Sequence, residues 1–492
     1  MNQRWSDAGS PPINPPGTST TPRPDAGARM AALSARVRRD RHLLRHPETD
    51  WMPERIGPDG KPLLDVLIAG AGQGGLGIAA QLMRERVSNI EVIDKAPRGQ
   101  EGVWNTIGRM PYIRSPKNYP GPDMGNPNLS YETWHRTRFG DADWEAIKLI
   151  PCATWVEYLT WYREVLALPV RNEVALTRIE PAPGCLKLTL TGPRGPEDQE
   201  QRYVRRLVLA TGHDGTGRWW LPEFIAALPG HLRAQASDPI DFAGLKGKRV
   251  AVLGVGATAG DSAICALEAG AAEVRMYCRR PSHRRQQVYR WCITAGFLRH
   301  YQDLDDARRW KFMQYILNER MGMPVETWRR VNEFAGFHLE TEADWQGVSA
   351  VGEEVRIETP RGAFAADFVI ACTGHDQDLT VRPELAPLAP DIALWADRYT
   401  PPADLADERL GRYPYLGKNY EFLEKTPGAA PHLARIHDFT FGPTMSLGPS
   451  GCSISTLRLT VPLVAAGITR GLFVEDAELH WDSLVGCESY IP

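Results

Sequence analysis

Hydrophobic and polar positions along this chain predict a strand–turn–helix–strand unit near its start. Residues 64–69 form a short apolar run that leads into a cluster of glycines. Apolar positions at helical spacing continue to about residue 86, and residues 90–94 form a second apolar run that ends in an acid. Near-continuous apolar runs of this length are typical of strands that are buried in a parallel sheet. The pattern therefore predicts strand, glycine turn, helix and strand.

The same order of elements occurs a second time. Residues 249–253 predict a strand. A glycine-containing turn and a helix to about residue 267 follow it, and residues 273–277 predict the next strand. Two more apolar runs, 207–213 and 368–375, bracket this second unit and both end in Thr-Gly-His. The simplest topology is α/β, with two Rossmann-like dinucleotide-binding domains of which the second is inserted into the first.

The N-terminal region has a different composition. Its first 28 residues are rich in proline and almost without apolar side chains, so they predict a disordered tail. Residues 29–45 alternate small or apolar with basic positions and predict a surface helix. We therefore predict a tail, a helical extension, the first part of one dinucleotide-binding domain, an inserted second dinucleotide-binding domain and the second part of the first domain, with the bounds 1–28, 29–61, 62–215, 216–371 and 372–492.

Composition restricts the class of protein. The chain has 492 residues, 24% of them charged and 42% hydrophobic, and a net charge of −3, which predicts neither a nucleic-acid partner nor a membrane partner. No apolar run approaches the roughly 18 residues of a membrane span, and no secretory signal is visible. The eight cysteines contain no Cys-x-x-Cys pair, which argues against a zinc ribbon or a dithiol enzyme, and no metal site is expected. A reduced cytoplasm is the expected location.

The first glycine cluster fits the dinucleotide-binding pattern Gly70-x-Gly72-x-x-Gly75. Such glycines allow a tight turn, the approach of a pyrophosphate to the backbone, and close packing of helix on strand. Asp94 follows Gly75 by 19 residues, at the place where an acid accepts hydrogen bonds from a ribose. Because an acid repels a 2′-phosphate, the site predicts a dinucleotide without that group, with the helix N-terminus at the phosphates.

The second cluster, with Gly254, Gly256 and then an alanine, is followed by a strand that ends in Arg279 and Arg280 instead of an acid. Paired arginines bind a 2′-phosphate through charge-assisted hydrogen bonds, so this site predicts NADPH. Two dinucleotide sites without a dithiol pair indicate hydride transfer from a nicotinamide to a flavin, which passes electrons to oxygen, a quinone or a partner protein.

The order of five short stretches resembles the class B flavoprotein monooxygenases over roughly residues 62–475. The stretches are GAGQGG (70–75), GVWN (102–105), ATGH (210–213), GVGATA (254–259) and CTGH (372–375). The resemblance implies that FAD binds at the first motif and NADPH at the second, and that one oxygen atom of O2 reaches a small polar substrate through a flavin hydroperoxide. The cofactor-binding residues that the motifs imply are Gly70, Ala71, Gly72, Gly75, Asp94, Lys95, Trp104, Thr211, Gly212, Gly254, Gly256, Thr258, Arg279, Arg280, Thr373 and Gly374.

Three longer stretches resemble a branch of that class, the FAD-dependent urate hydroxylases. They are RMPYIRSPK (109–117), RPELAPLAPDIALWADRYTPP (382–402) and YEFLEKTPGAAPHLARIHDFTFG (420–442). The loop 443–455 departs from the branch, because a leucine follows Ser446 where a histidine is expected and Gly-Cys-Ser-Ile replaces Gly-Asp-Ile-Pro. Urate hydroxylation, N-hydroxylation of an amino acid or amine, Baeyer–Villiger oxidation and uncoupled NADPH oxidation therefore stay open. The Baeyer–Villiger fingerprint is itself altered at 228–231.

Few side chains indicate the substrate. Arg114 and Lys117 follow the GVWN stretch, and cations there would suit an anionic substrate. His213 and His375 are expected at the crossings between the domains rather than as catalysts. No catalytic residue is assigned, because an oxygen-inserting flavin requires mainly a positioned substrate and the exclusion of water. The identity of the substrate and the oligomeric state are not predicted.

Overall fold

The computed structural model describes Asn14 and residues 17–44, 49–284, 286–319, 322–449 and 453–487. Its helices are α1 (Ala26–Leu43), α2 (Gln73–Arg84), α3 (Tyr131–Phe139), α4 (Asp141–Ala146), α5 (Cys152–Val165), α6 (Glu223–Ala226), α7 (Ala257–Glu268), α8 (Val288–Cys292), α9 (Ala295–His300), α10 (Asp306–Glu319), α11 (Val325–Asn332), α12 (Trp395–Arg398), α13 (Glu408–Gly411), α14 (Thr444–Leu447), α15 (Leu457–Glu475) and α16 (Ala477–Val485). Its strands are β1 (Leu64–Ala69), β2 (Ile90–Asp94), β3 (Val170–Asn172), β4 (Ala175–Ala182), β5 (Cys185–Thr191), β6 (Gln199–Leu209), β7 (Gly217–Trp219), β8 (Arg233–Gln235), β9 (Arg249–Leu253), β10 (Glu273–Cys278), β11 (Phe337–Thr341), β12 (Gly347–Val351), β13 (Glu354–Thr359), β14 (Gly362–Ala366), β15 (Phe368–Ala371), β16 (His375–Gln377) and β17 (Ile436–Asp438).

The first sheet has the strand order β3-β2-β1-β6-β5-β4, and β17 pairs with β6. β1 is parallel to both β2 and β6, which places Ala69 beside Ile93 and Leu209 at the carboxyl edge. β4 and β5 form an antiparallel extension against the first half of β6. β1 is buried along almost its whole length, as its continuous apolar run predicts, and α2 and α15 pack together in the same core.

The second sheet has the order β11-β10-β9-β15-β8, and all its neighbouring strands are parallel. An antiparallel sheet of β12, β13 and β14 precedes β15 in the chain. Every strand of the second sheet lies within 233–371, whereas the strands of the first end by residue 209 or begin at residue 436. The prediction of an α/β fold in which the second dinucleotide-binding domain is inserted into the first is thereby confirmed.

The chain passes between the two domains twice, and the two crossings pair with each other. β7 and β16 form an antiparallel ribbon in which Trp219 lies opposite His375 and Gly217 opposite Gln377. Gly217 has no room for a side chain, because a Cβ would overlap the carbonyl of Asp376. The ribbon therefore joins the domains through two strands that run side by side.

The N-terminal region is more ordered than its composition predicts. The side chain of Asn14 accepts a hydrogen bond from the Lys148 N–H and donates one to the Leu149 carbonyl, both at 2.8 Å. Ser19 donates its hydroxyl to Asp143 at 2.8 Å, and α1 begins at Ala26. The prediction of a disordered tail over 1–28 is therefore wrong for these parts, which polar side chains anchor without a hydrophobic core. Residues 1–13 and 15–16 of the predicted tail lie outside the described residues.

One helix in the described part of the chain, α15, is long and apolar enough by length and composition to cross a membrane, with a mean hydropathy of 1.4. This corrects the prediction that no segment approaches such a length. The buried side chains of α15, among them Val461, Val464 and Ile468, pack in the core of the first domain. One face of α15 therefore packs against α2.

Candidate functional site

The three glycines of the first turn have different surroundings. Gly70 has φ +113°, and a Cβ there would overlap the carbonyl of Ala210 in the neighbouring chain segment. A Cβ at Gly75 would overlap the carbonyl of Gly70, so this glycine lets α2 pack closely on the strand that precedes it. Beside Gly72 the nearest described atom is the Cα of Gly102, at 3.7 Å from an ideal Cβ. Gly70 and Gly75 thus form the turn itself, whereas Gly72 borders open space.

The open space at Gly72 is where a pyrophosphate would fit. Gly72 is the N-cap of α2, so the unpaired N–H groups of the first helical turn face this space. No acidic side chain lies in that first turn. A helix N-terminus attracts anions through its N–H groups and its dipole. The residues present therefore fit the phosphates of FAD.

Asp94 ends β2 and closes the turn from the other side. One oxygen of its carboxylate accepts a hydrogen bond from the Ala71 N–H at 2.7 Å, and the other accepts one from the Ala96 N–H at 2.8 Å. Burial raises the pKa of Asp94 above its ordinary value, and the two backbone donors oppose that shift. Asp94 thus fixes the turn while it lines the cavity described below, where its remaining lone pairs can accept ribose hydroxyls. The backbone of Ala71, a predicted cofactor contact, is occupied by this bond.

The second turn has the same design. Gly254 has φ +128°, and a Cβ there would overlap the carbonyl of Cys372. No described atom lies within 4 Å of a Cβ built on Gly256, the N-cap of α7. Ala259, which takes the third position of the motif, is fully buried. The open N-terminus of α7 therefore fits a second pyrophosphate.

Arg279 and Arg280 directly follow β10 at the carboxyl edge of the second sheet. Arg279 is exposed, and the carbonyl of Arg280 accepts the Glu342 N–H at 3.0 Å. Within the described ranges, no carboxylate forms an ion pair with either guanidinium. Both cations are therefore available to a 2′-phosphate at the strand end where the motif requires them.

The two Thr-Gly-His stretches lie beside the two glycine turns. Gly212 and Gly374 both have positive φ, +98° and +95°, and each lies just beyond the end of a strand, β6 or β15, that pairs with the strand before a glycine turn. The hydroxyl of Thr211 is buried and has no partner among the described residues, so it can bond a ligand in the cavity. Thr373 differs, because its hydroxyl donates to the Trp220 carbonyl and its side chain lies outside the cavity. The expected cofactor contact of Thr373 is therefore replaced by a bond that fixes the domain crossing.

A cavity of about 1500 Å³ lies between the two domains. Roughly 300–1,000 Å³ is typical of a site for one small molecule, so this cavity has room for more than one ligand. The predicted site residues that line it are Gly70, Gly72, Asp94, Lys95, Trp104, Arg114, Thr211, Gly212, Thr258 and Gly374. The predicted site residues that do not are Ala71, Gly75, Lys117, Gly254, Gly256, Arg279, Arg280 and Thr373.

The two predicted substrate cations have different surroundings. Arg114 lines the cavity and forms an ion pair with Asp261 of α7. Lys117 donates its ammonium to the carbonyls of Trp144 and Ile147, at 2.6 and 2.8 Å, and lies over the Trp144 ring. The prediction that Lys117 binds substrate is therefore wrong for this arrangement, because backbone carbonyls and an aromatic ring satisfy its charge.

The loop that departs from the urate hydroxylase pattern borders the cavity. Pro449 and residues 453–456 line it, and residues 450–452 lie outside the described residues. Ser446 is fully buried, and its hydroxyl accepts the Trp395 indole N–H and the Leu416 N–H, both at 3.0 Å. Ser446 thus anchors the start of the loop. Of the altered positions that the structure describes, Ser453 and Ile454 line the cavity, whereas Leu447 is buried in the core.

His213 and His375 lie at the domain crossings, as predicted, and their rings contact each other in the cavity wall. The His213 ring stacks on Phe441 and Trp219, with centroid distances of 4.2 and 5.2 Å, and His375 packs edge-on at 5.3 Å. Burial lowers the pKa of His213 to about 4 and that of His375 to about 3, and neighbouring His213 and Arg382 depress the latter further. Both rings are therefore neutral near pH 7 and act as packing groups.

Sequence reasoning missed Asp261 and Arg290 as residues of the site. Asp261 lies in α7 after the second glycine turn, and Arg290 is an exposed cation of α8 that reaches the cavity wall. Neither belongs to a recognised motif, so only the folding of α7 and α8 around the cavity identifies them. Among the described residues, no group of three or more His, Cys, Asp or Glu side chains could hold a metal ion.

The amino-acid sequence is similar to that of one characterised enzyme over nearly its full length. It is 38% identical over 462 residues to an FAD-dependent urate hydroxylase of Xanthomonas campestris pv. campestris, a match that covers 93% of this chain and 96% of that protein. The profile of an FAD-NAD(P)-binding family matches residues 67–214. That segment contains the first glycine turn, Asp94 and the first Thr-Gly stretch.

The fold is similar to those of several solved flavoenzymes. The ornithine N-hydroxylase of Kutzneria sp. 744 superposes with a TM-score of 0.63 at 17% identity, covering 83% of this chain and all of that one. The flavin-containing monooxygenase of Stenotrophomonas maltophilia gives a TM-score of 0.54 at 17% identity, with 83% and 98% covered. At these identities the likeness is one of fold: two dinucleotide-binding domains, one inserted into the other.

Proposed function

The chain belongs to the family of FAD-dependent urate hydroxylases, within the class B flavoprotein monooxygenases, and on that premise we propose that it hydroxylates urate. It is an FAD- and NADPH-dependent monooxygenase, so one oxygen atom of O2 enters the substrate and the other leaves as water. The observation that carries the choice of urate is the 38% identity to the urate hydroxylase over 93% of the chain.

The residues at the two glycine turns would hold the two cofactors. FAD would lie at Gly70, Gly72 and Asp94, and NADPH at Gly256 with its 2′-phosphate near Arg279 and Arg280. When bound, the flavin takes a hydride from the nicotinamide and activates O2. The protein's own contribution is to orient the substrate, to exclude water from the cavity and to hold both dinucleotides in place.

Two arginines in the cavity wall support an anionic substrate. Urate is an anion near neutral pH, and guanidinium groups bind planar anions through paired N–H donors. Arg114 reaches the cavity from the first domain and Arg290 from the second. Apolar side chains that share the wall, among them Trp104 and Phe441, suit the flat faces of a purine.

The direct test is NADPH consumption by the purified yellow protein in air, with peroxide followed in parallel. With urate, consumption should be fast and peroxide low, because a coupled enzyme passes its oxygen to the substrate. A panel of amino acids, amines and ketones serves as the comparison. Slow, peroxide-producing turnover with urate and coupled turnover with another compound would refute the choice of substrate.

Arg290→Ala should raise the KM for urate about tenfold with little change in kcat, which is the loss expected for one charge-assisted contact. Arg299→Ala is the matched control, because Arg299 is also an exposed arginine in the next helix but does not line the cavity. Equal KM values for the two variants would contradict the assignment of Arg290.

We also propose a cytoplasmic location. The seven cysteines among the described residues are unpaired, which suits a reducing compartment. The partners required are a small-molecule substrate and O2.

A further inference from the structure

Part of the inserted domain is fastened to the second part of the first domain. Residues 288–317, which include α8, α9 and most of α10, share a buried apolar cluster with Trp395, Leu410 and Met445. α10 also packs against α14, the short helix that contains Met445. This packing therefore sets where residues 288–317 lie relative to residues 395–446.

Tyr301 is the first of two side chains of the inserted domain that bind this second part through its backbone. It follows α9, is fully buried, and its hydroxyl lies 2.8 Å from the Arg309 carbonyl and 3.0 Å from the Met445 carbonyl. Burial raises the pKa of Tyr301 well above its ordinary value, so the hydroxyl keeps its proton and donates it to these carbonyls. The ring lies against Gly448, where a Cβ would be 3.3 Å from a ring carbon. Tyr301 thus holds the chain at Met445 and at Gly448.

Arg309 of α10 is the second of these side chains. Its guanidinium is buried and donates to the Ser446 carbonyl at 3.0 Å and to the Tyr415 hydroxyl at 2.9 Å. It also forms an ion pair with Asp306 of the same helix. A guanidinium holds its five N–H donors in one plane, so three such partners leave Arg309 little freedom. Tyr301 and Arg309 together therefore fix the start of the loop 443–455.

The same loop reaches the cavity a few residues later. Its described residues that line the cavity are Pro449, Ser453, Ile454 and Ser455. Where the loop enters α15, the Thr456 hydroxyl donates to the Ser453 carbonyl at 2.8 Å. The hydroxyls of Ser453 and Ser455 have no hydrogen-bond partner in the part of the chain that the structure describes. The loop therefore offers two hydroxyls to a substrate in the cavity.

The cation that we assign to urate belongs to the inserted segment. Arg290 lies in α8 between Val288 and Cys292, which are both buried in the apolar cluster shared with residues 395–446. The backbone of Arg290 is therefore placed by the packing that also holds Tyr301. The cavity thus receives one part of its wall from α8 and another from the loop, and the bonds of Tyr301 and Arg309 join the two.

We propose that Tyr301 and Arg309 are positioning residues for oxygen transfer, because they set the distance between α8 and the loop 443–455; the proposal rests on the proposed function for the choice of urate. Neither residue lines the cavity, so each acts through the residues that it holds. A misplacement of the substrate by about 1 Å can cost about a hundredfold in rate. When the substrate is misplaced, the two electrons of NADPH and two protons convert O2 to hydrogen peroxide, and the substrate is left unchanged.

The test uses the FAD-containing protein and the variants Tyr301→Phe and Arg309→Lys. The first removes only the hydroxyl, and the second keeps the charge beside Asp306 but loses the planar set of donors. Each should raise about tenfold both the KM for urate and the anaerobic Kd for urate that flavin absorbance reports, and should increase the peroxide formed per NADPH. FAD affinity and the rate of anaerobic flavin reduction by NADPH should keep their wild-type values, because neither residue lines the cavity.

Trp310→Phe is the matched control for a purely structural contact. Trp310 is buried in α10, and its indole N–H donates to the Leu405 carbonyl at 2.8 Å, so its bond joins the same two parts of the chain but not the loop. This variant should lower the urea midpoint, as Tyr301→Phe does, but keep the wild-type KM for urate and the wild-type peroxide yield. Equal changes of KM and peroxide in Trp310→Phe and Tyr301→Phe would overturn the proposal, as would wild-type values in both Tyr301→Phe and Arg309→Lys.

Failure of the positioning role and failure of the urate assignment give different results. If wild type is not coupled with urate, the choice of urate fails, and the same comparison with the compound of the panel that is coupled decides the role of Tyr301 and Arg309. If urate is coupled in wild type but Tyr301→Phe behaves as Trp310→Phe, the function stands and the positioning role is refuted. If no compound is coupled, both proposals fail.

Discussion

Gly72 and Gly75 lie three residues apart in one turn but restrict the chain for different reasons. Gly75 is required by the protein, since a Cβ would overlap the Gly70 carbonyl. Gly72 has extended backbone angles, φ −68° and ψ −178°, that any residue can adopt, and open space beside it. At the scale of the residue, the same amino acid thus serves folding at one position and ligand access at the other.

This difference gives a prediction for two substitutions. Gly72→Val should fold with a loss of stability of only about 1 kcal/mol, from the less favourable N-cap, but lose FAD affinity by about a hundredfold, roughly 2.8 kcal/mol, because the side chain fills the phosphate space. Gly75→Ala should lower the free energy of unfolding by roughly 1–3 kcal/mol through overpacking. Flavin fluorescence titration and urea denaturation measure both. Wild-type FAD affinity in Gly72→Val would contradict the assignment.

Arg279 and Arg280 give the second prediction at this scale. Their double replacement by alanine should raise the KM for NADPH tens to hundreds of fold, equivalent to about 2–4 kcal/mol, and leave the NADH value nearly unchanged. The reason is that only NADPH carries the 2′-phosphate. Arg356→Ala, an exposed arginine of β13 in the same domain, is the control for lost charge. Equal effects on the two nucleotides would rule out the 2′-phosphate assignment.

At the scale of the element, the β7–β16 ribbon joins the two domains and carries a stack of rings. His213 lies between Trp219 and Phe441, and His375 packs against its edge. The stack leaves little water around either imidazole, which explains why both pKa values fall. The ribbon and the turn that precedes β7 thus contain two neutral histidines, and protonation of either would oppose the packing of the rings.

The pH dependence of stability follows from these shifts. The unfolded chain binds a proton on each histidine near pH 6.5, whereas the folded chain binds it only near pH 4 for His213 and 3 for His375. The folded state therefore loses stability as the pH falls below 6.5. Each histidine can add at most the uptake of about one proton to the slope of the unfolding free energy against pH. The measurement is urea unfolding of wild type and His213→Phe at saturating FAD, from pH 7 to 4.5. As the pH falls, the free energy of unfolding should decrease less in the variant than in wild type. Parallel curves would contradict the burial argument.

At the scale of the whole molecule, two sheets share one cavity but no strand. The chain leaves the first sheet after β6 and returns to it at β17, and everything needed for the second sheet lies between. Trp219 and His375 lie opposite each other in the ribbon, as at the last pair of a hairpin. The insertion therefore begins and ends at adjacent points.

Replacing residues 220–374 by Asn-Gly, which forms a two-residue hairpin turn, closes the ribbon but removes α8 and α10 from the buried apolar cluster that they share with Trp395, Leu410 and Tyr413. We therefore expect a protein that binds FAD, is not reduced by NADPH and unfolds at a lower urea concentration than the wild type. Absorbance of bound flavin, anaerobic addition of NADPH and urea denaturation measure the three properties. A colourless product would show that the first domain needs the insertion to bind FAD.

Local patterns in the amino-acid sequence predict those elements and turns that have a local cause. The apolar runs at 64–69, 90–94, 249–253 and 368–371 are the strands that the structure contains, because a strand buried on both faces requires such a run. The glycine turns follow from backbone angles and close contacts that only glycine tolerates. The class of enzyme also followed, because each motif is a short stretch of sequence and the stretches occur in the order typical of that class.

Which polar side chains remain available to a ligand depends instead on contacts between distant parts of the chain. Lys117 and Thr373 were predicted to bind ligands, but the fold turns both toward backbone carbonyls. Asn14 and Ser19 were assigned to a disordered tail, but distant acceptors and donors anchor them. Arg114 and Asp261 are 147 residues apart, and their pairing exists because two domains close over one cavity. Hydrogen-bond and ion-pair partners at such separations are set by the packing of elements, which no local pattern contains.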